Sequence, residues 1–243
     1  MRVSVVTTIA DAVRGMLDRV PTPVAWRSWR ARRAGAAFDR RYGTDTQAHV
    51  AVAALNVGPD IACHAVQYEP SAIPKVRCAL RHLGVRPEAF EFVDVGSGKG
   101  LVPLLAARRP FRRIVGLEAS AELVRVAERN LALYAAREAL TAPVVFLNVD
   151  ALDYEFGDRN QVVYLYNPFD EATLRRLVDR LLSVARPAEL LVVYVNPVHR
   201  RAIDETGAFR TLFENGSLAV FRRRTPELAD GSRNGHEHRG QER

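Results

Sequence analysis

Phe92-Val93-Asp94-Val95-Gly96-Ser97-Gly98-Lys99-Gly100 runs from apolar residues into an acid and then into three glycines at every second position. The apolar part reads as a buried strand, and residues 101–108 beyond the glycines read as a helix. Glycines at a strand-to-helix turn let the backbone adopt positive φ and come close to a ligand. The helix start that follows offers unpaired N–H groups to a carboxylate or phosphate.

Spacing decides among the ligands such a turn can hold. A dinucleotide fingerprint needs G-x-G-x-x-G, but here the third glycine comes one position early, at Gly100, and Leu101 stands in its place. A phosphate-binding loop needs G-x-x-x-x-G-K-[ST]. Gly98-Lys99 is present, yet Val93 replaces the first glycine and Gly100 the hydroxyl. Both phosphate readings fail on named residues, and a nucleoside is the expected ligand.

Downstream, strands are expected at 90–95, 113–117, 144–149, 162–166 and 190–195, with helices at 101–108, 121–136 and 171–184 between them. Apolar strands alternating with helices imply a parallel sheet covered on both faces. Two further strands, 209–213 and 217–221, flank Glu214-Asn215-Gly216 and read as a hairpin. Ligands of open α/β sheets bind beyond the carboxyl ends of the strands. Four such ends carry polar groups: Asp94 with its glycines, Glu118 with Ala119, Asp150 with Ala151, and Asn167-Pro168-Phe169. A carboxylate at Glu118 can accept from both ribose hydroxyls. Asp150 suits an exocyclic amine, and the Ala151 N–H suits a ring nitrogen.

Asp94, Gly96, Gly98 and Gly100 match the E/D-x-G-x-G-x-G motif, and the chain resembles the class I S-adenosylmethionine-dependent methyltransferases at all four strand ends. The resemblance implies a Rossmann-like, seven-stranded, mostly parallel sheet with an antiparallel C-terminal hairpin, helices on both faces and an N-terminal helical extension. It implies S-adenosyl-L-methionine as cofactor. Gly96, Ser97, Gly98 and Gly100 would then lie at the methionine part, with Asp94 at its ammonium. Glu118 and Ala119 would hold the ribose, and Asp150 with Ala151 would read adenine. Tyr68, in QYEPS, resembles a segment that closes over the cofactor in related lysine methyltransferases. Asn167-Pro168-Phe169 resembles the [NDS]-P-P-[YF] signature of amino methyltransferases with one proline instead of two. It implies catalysis by Asn167, Pro168 and Phe169 on an amine, carried by a protein lysine or a small metabolite, with Asn167 also at the cofactor. The FDRRYG, GSGKG and YNPF blocks together look like a bacterial group of such enzymes. An O-methyltransferase of a small metabolite is the near rival. A non-catalytic nucleoside- or nucleic-acid-binding module stands behind both, because the arm lacks the interleaved glycine and aromatic pattern of RNA modules.

The 243 residues, 48% of them hydrophobic, suffice for one α/β domain with extra segments. They divide into a basic helical arm (1–43), a helical lead-in (44–88), the core (89–222) and a tail of disordered composition (223–243). Net charge is +7. Residues 1–41 hold nine arginines against three aspartates, whereas residues 42–221 carry 20 basic and 21 acidic groups. The basic arm suits an acidic partner, whether nucleic acid, protein or anionic surface, and equally a solvated face.

In the arm, residues 5–20 read as an amphipathic helix stopped by Pro21 and Pro23, and Trp26 and Trp29, one turn apart, suit covering the core, a partner or a substrate, with packing the favoured expectation. Residues 38–46 (FDRRYGTDT) read as a loop, 49–57 as a short helix and 73–83 as a helix. No apolar run reaches the roughly 20 residues of a membrane span. Residues 1–20 have no secretory pattern. Cys63 and Cys78 have no metal-type spacing, so no metal is expected, and the two cysteines suit a reduced, cytoplasmic protein.

Overall fold

The computed structural model describes residues 23–48, 70–166, 169–184 and 188–224, with the side chains of the first helix described from Trp29 onward. Its elements are α1 (Pro23–Tyr42), α2 (Ile73–Arg81), β1 (Glu91–Val95), α3 (Leu101–Ala106), β2 (Arg113–Glu118), α4 (Ala121–Ala135) and β3 (Val144–Asn148). There follow β4 (Gln161–Tyr166), α5 (Glu171–Ser183), β5 (Leu190–Val195), the single turn α6 (Arg201–Asp204), β6 (Phe209–Glu214) and β7 (Leu218–Arg223). The expected helices at 5–20 and 49–57, with Tyr68, Asn167 and Pro168, lie outside the described residues.

The seven strands form one sheet in the order β3-β2-β1-β4-β5-β7-β6. β1 to β5 are mutually parallel, and β7 inserts antiparallel between β5 and β6. The chain order reverses between β1 and β4, which opens the crevice where ligands of such sheets bind. Successive residues of a strand face opposite sides. Phe92, Ile114, Val162, Tyr164 and Val193 therefore enter one apolar layer under α2 and α3. Val93, Val115, Val163, Leu165 and Val192 enter a second layer under α5. β1 and β5 are buried along their whole length; β5 reads as an unbroken apolar run, and β1 departs from one only at Glu91 and Asp94.

Helix starts follow their capping residues. The Ser120 hydroxyl accepts from the Leu123 N–H at 3.4 Å, and Asp170 accepts from Thr173 at 2.8 Å. The hairpin turn closes at Gly216, whose φ of 74° needs glycine.

Two expectations for the arm are corrected. Phe38 to Tyr42 complete α1 instead of opening a loop. Both rings are buried against Tyr134 of α4, with centroids 5.7 and 4.5 Å away. Arg40 and Arg41 make this stretch look polar, yet the i, i+4 pair Phe38/Tyr42 faces inward and the arginines outward. Gly43, at φ 69°, ends the helix. Trp29 does not pack on the core: it is 49% exposed.

Candidate active site

Because β1, β2 and β3 are parallel neighbours, their carboxyl ends lie on one edge of the sheet. Gly96, Gly98 and Gly100 all take positive φ, at 73°, 52° and 86°, so the alternate glycines are a backbone requirement. The turn is fastened to the end of β2. The Leu117 carbonyl accepts from the N–H groups of Gly96 and Ser97, each at 2.9 Å. The Gly98 N–H donates to Glu118 Oε2 at 2.9 Å, and the Ser120 N–H to Oε1 at the same distance. Beneath the turn lies Phe146 of β3. A Cβ at Gly100 would stand 2.7 Å from its Cζ, and one at Gly116 of β2 would stand 2.5 Å from its Cδ1. The Ser97 side chain turns inward, its Oγ 2.8 Å from that same Gly116 position, buried and without a hydrogen-bond partner among the described residues.

Three acids stand at this edge in different states. Asp94 is 3% exposed, and no described group donates to its carboxylate. Burial, and then the neighbouring Glu118, push it well above the usual carboxylate range. Glu118 is half-buried and also raised by burial, against the pull of the N–H groups of Ser120, Gly98 and Ala119. Each of its oxygens accepts one N–H and keeps acceptor capacity for a ligand. The segment holding it is braced from β3: Asn148 Nδ2 donates to the carbonyls of Glu118 at 3.0 Å and Ala119 at 2.7 Å. Asp150 is half-buried, and its Oδ1 accepts the Leu152 N–H at 2.8 Å, which leaves the second oxygen uncommitted among the described residues. The side chain of Ala151 is buried in the second layer, and its N–H donates to no acceptor among the described residues. A site so built offers a buried carboxyl group that a cation would ionise, a half-committed carboxylate for hydroxyls, and an acceptor beside a donor for a heteroaromatic edge.

Phe169 is half-buried and packs on the apolar layer beneath α5. At the end of β5, Asn196 takes φ 51°, a conformation asparagine tolerates. His199 lies 3.8 Å from Glu171, and its N–H donates to the Tyr194 hydroxyl at 3.4 Å.

No protein-family model and no curated protein matches the chain. Among solved structures it is similar to an RNA methyltransferase from Salinibacter ruber in complex with S-adenosyl-L-homocysteine. The two share 22% identity at a TM-score of 0.48, over 65% of this chain and 97% of that one. It is similar also to a ribosomal-protein methylase from Lactobacillus delbrueckii subsp. bulgaricus, at 17% identity and TM-score 0.45, over 62% and 77% of the two chains. A magnesium protoporphyrin IX methyltransferase from Synechocystis with bound S-adenosylmethionine matches at 14% identity and TM-score 0.45, over 61% and 76%.

The structure also brings in residues that sequence reasoning passed over. Lys99 is buried in the glycine turn, and its ammonium meets Asp45 at 2.8 Å. Asn130 of α4 completes the junction: its Nδ2 donates to the carbonyls of Asp45 at 3.0 Å and Lys99 at 2.9 Å, and its Oδ1 accepts the Asp45 N–H at 2.9 Å. Asp39 shapes the segment by accepting from Thr44 Oγ1, from the Thr46 N–H and Oγ1, and from the Gln47 N–H. The Gln47 amide rests on Gly35 of α1, where a Cβ would lie 2.0 Å from its oxygen. The available signal was the placement of one of only two lysines, Lys99, inside a glycine turn that binds no phosphate by its spacing.

Proposed function

We propose that this protein is an S-adenosylmethionine-dependent methyltransferase whose acceptor is an amine nitrogen. One observation carries the reading: Asp94, the glycine turn, Glu118 and Asp150 lie on the adjoining ends of β1, β2 and β3, with Glu118 fastened to Gly98 at 2.9 Å. The donor set fits the cofactor. A buried carboxylate without a donor among the described residues, Asp94, calls for an ammonium. Glu118 has lone pairs left for two vicinal hydroxyls. Asp150 and the Ala151 N–H form the acceptor–donor pair that an adenine edge requires. Bound there, S-adenosylmethionine supplies an electrophilic methyl on a sulfonium.

The protein's part is to exclude water and to aim an acceptor lone pair. Asn167-Pro168 follows β4 directly in the sequence, and β4 pairs with β1, the strand that ends in the glycine turn. On this reading the Asn167 side-chain oxygen and the carbonyl of Pro168 accept N–H bonds from the amine. They orient it and favour its unprotonated form.

The experiment is calorimetry with S-adenosylhomocysteine. We expect binding by the intact chain and a loss of at least about a hundredfold in Glu118→Ala, from two charge-assisted hydrogen bonds of about 1.5–3 kcal/mol each. Absence of binding by the intact chain rejects the reading. Asn167→Ala should lower turnover while cofactor affinity stays within about twofold.

A further inference from the structure

The helix α1 carries six arginines and one acid, Asp39. That acid is spent inward, on Thr44, Thr46 and Gln47, and does not neutralise its neighbours. The buried side of the helix holds Gly35, Phe38 and Tyr42, so Arg32, Arg33, Arg40 and Arg41 are exposed on the other. The basic surface continues past the helix end. Arg41 and Arg108 share one carboxylate, Glu138, at 3.8 and 3.3 Å, and Glu138 also accepts from the Tyr42 hydroxyl. The guanidinium of Arg137 lies over Gly43. Arg109 is half-buried, and burial together with the nearby Arg81 guanidinium pulls it below the ordinary arginine value. Residues 42–221 are close to neutral as a whole, so the positive charge is unevenly spread along the chain.

On this surface stands Trp29, 49% exposed, with the guanidinium of Arg33 5.0 Å from its ring centroid. An acidic peptide has no use for an exposed indole. A bilayer surface would need the apolar face of α1 turned outward, and that face is on the core. A phosphodiester chain with unpaired bases uses both features: arginines for phosphates and a flat ring for stacking.

We infer that the outer face of α1, continued by Arg108, Arg109 and Arg81, is a docking surface for single-stranded nucleic acid. It leads to the candidate site, because α1 runs into the Gly43–Gln47 segment that Asp45 fastens to Lys99 of the glycine turn. The surface stands independently of methyl transfer. If S-adenosylhomocysteine fails to bind while nucleic acid binds, the proposed function falls and this inference stands.

The test is fluorescence anisotropy of the full chain with a labelled single-stranded RNA of about 20 nucleotides, longer than known single-strand site sizes. Binding should weaken with salt, and the triple variant Arg32→Gln, Arg33→Gln, Arg40→Gln should flatten the log–log salt slope by about 2, near 0.7 for each phosphate contact removed. Trp29→Ala should weaken binding about tenfold, within the range of one stacked base. Arg81→Gln with Arg109→Gln tests the far end and should weaken binding too. All three variants change mostly exposed side chains, and unchanged thermal unfolding verifies that they are folded. Absence of RNA binding overturns the inference, as does an unchanged affinity in the triple variant or in Trp29→Ala. Displacement of the RNA by polyglutamate, or by anionic phosphatidylserine vesicles, at equal charge concentration would assign the surface to acidic proteins or membranes and overturn it as well.

Discussion

The buried ammonium of Lys99 and the carboxylate of Asp45 meet at 2.8 Å, joining the glycine turn to a segment 54 residues earlier in the chain. The side chain of Lys99 is 4% exposed and that of Asp45 57%. One end of the pair is therefore desolvated and the other is not.

That asymmetry gives an unequal pair of mutants. Asp45→Ala takes the carboxylate away from a buried cation and should cost about 1–3 kcal/mol, less than a fully buried pair because Asp45 is wet. Lys99→Met removes the buried charge itself, leaves a solvated aspartate and should cost less. Urea denaturation of the two variants measures the order. Lys99→Met as the more damaging change would mean that the lysine acts through its other contacts and not through this pair.

The acidity of Asp94 makes the site sensitive to pH. Its folded pKa lies above the unfolded value through burial and then Glu118, and burial moves Glu118 the same way. An acid raised in this manner contributes stability that is full below the ordinary carboxylate value and is lost as pH rises through the raised one. The ligand-free protein should therefore lose thermal stability from about pH 4 upward, and Asp94→Asn should flatten that decline. A ligand ammonium favours the ionised form, so affinity for S-adenosylhomocysteine should rise with pH over the same window and binding should release a proton. Calorimetry in two buffers of different ionisation enthalpy reads that proton directly. Asp94→Asn should bind more weakly and show no release.

Phe146 separates two kinds of glycine. Gly116 is needed for space alone, since its Cβ would meet Phe146 at 2.5 Å, whereas Gly100 is needed for space and for its φ of 86°. Both alanine variants should lose about 2 kcal/mol or more in unfolding measurements. Adding Phe146→Leu should recover part of the loss in Gly116→Ala, with Ser97 Oγ still close. It should recover little in Gly100→Ala, because a smaller neighbour does not relieve a left-handed backbone. Equal recovery in both would show that sterics, and not φ, fixes Gly100.

Much of the architecture was legible because it rests on local pattern. β5 is buried on both faces and reads as a continuous apolar run, β1 departs from one only at Glu91 and Asp94, and helical stretches alternate with the strands along the chain. Strand ends came out within two residues, since acids and glycines stop an apolar run sharply. The junction of Phe38 to Gln47 with the core was not legible. Its arginines hide a two-residue apolar stripe, and its polar groups bond partners up to 96 positions away. The inward turn of the Ser97 hydroxyl was not legible either: a turn residue's neighbours name its backbone geometry but not where its hydroxyl points.

By itself the sequence determined the order of the strands and helices, the glycine turn and the acids at the strand ends, because periodicity and backbone steric limits act over a few residues. Only the tertiary structure decided that Asp94 lies buried beside Glu118, that Lys99 is held by Asp45, and that Trp29 faces outward among arginines. Those are matters of desolvation and charge between residues far apart in the chain. A linear pattern carries no record of which groups lose their water together.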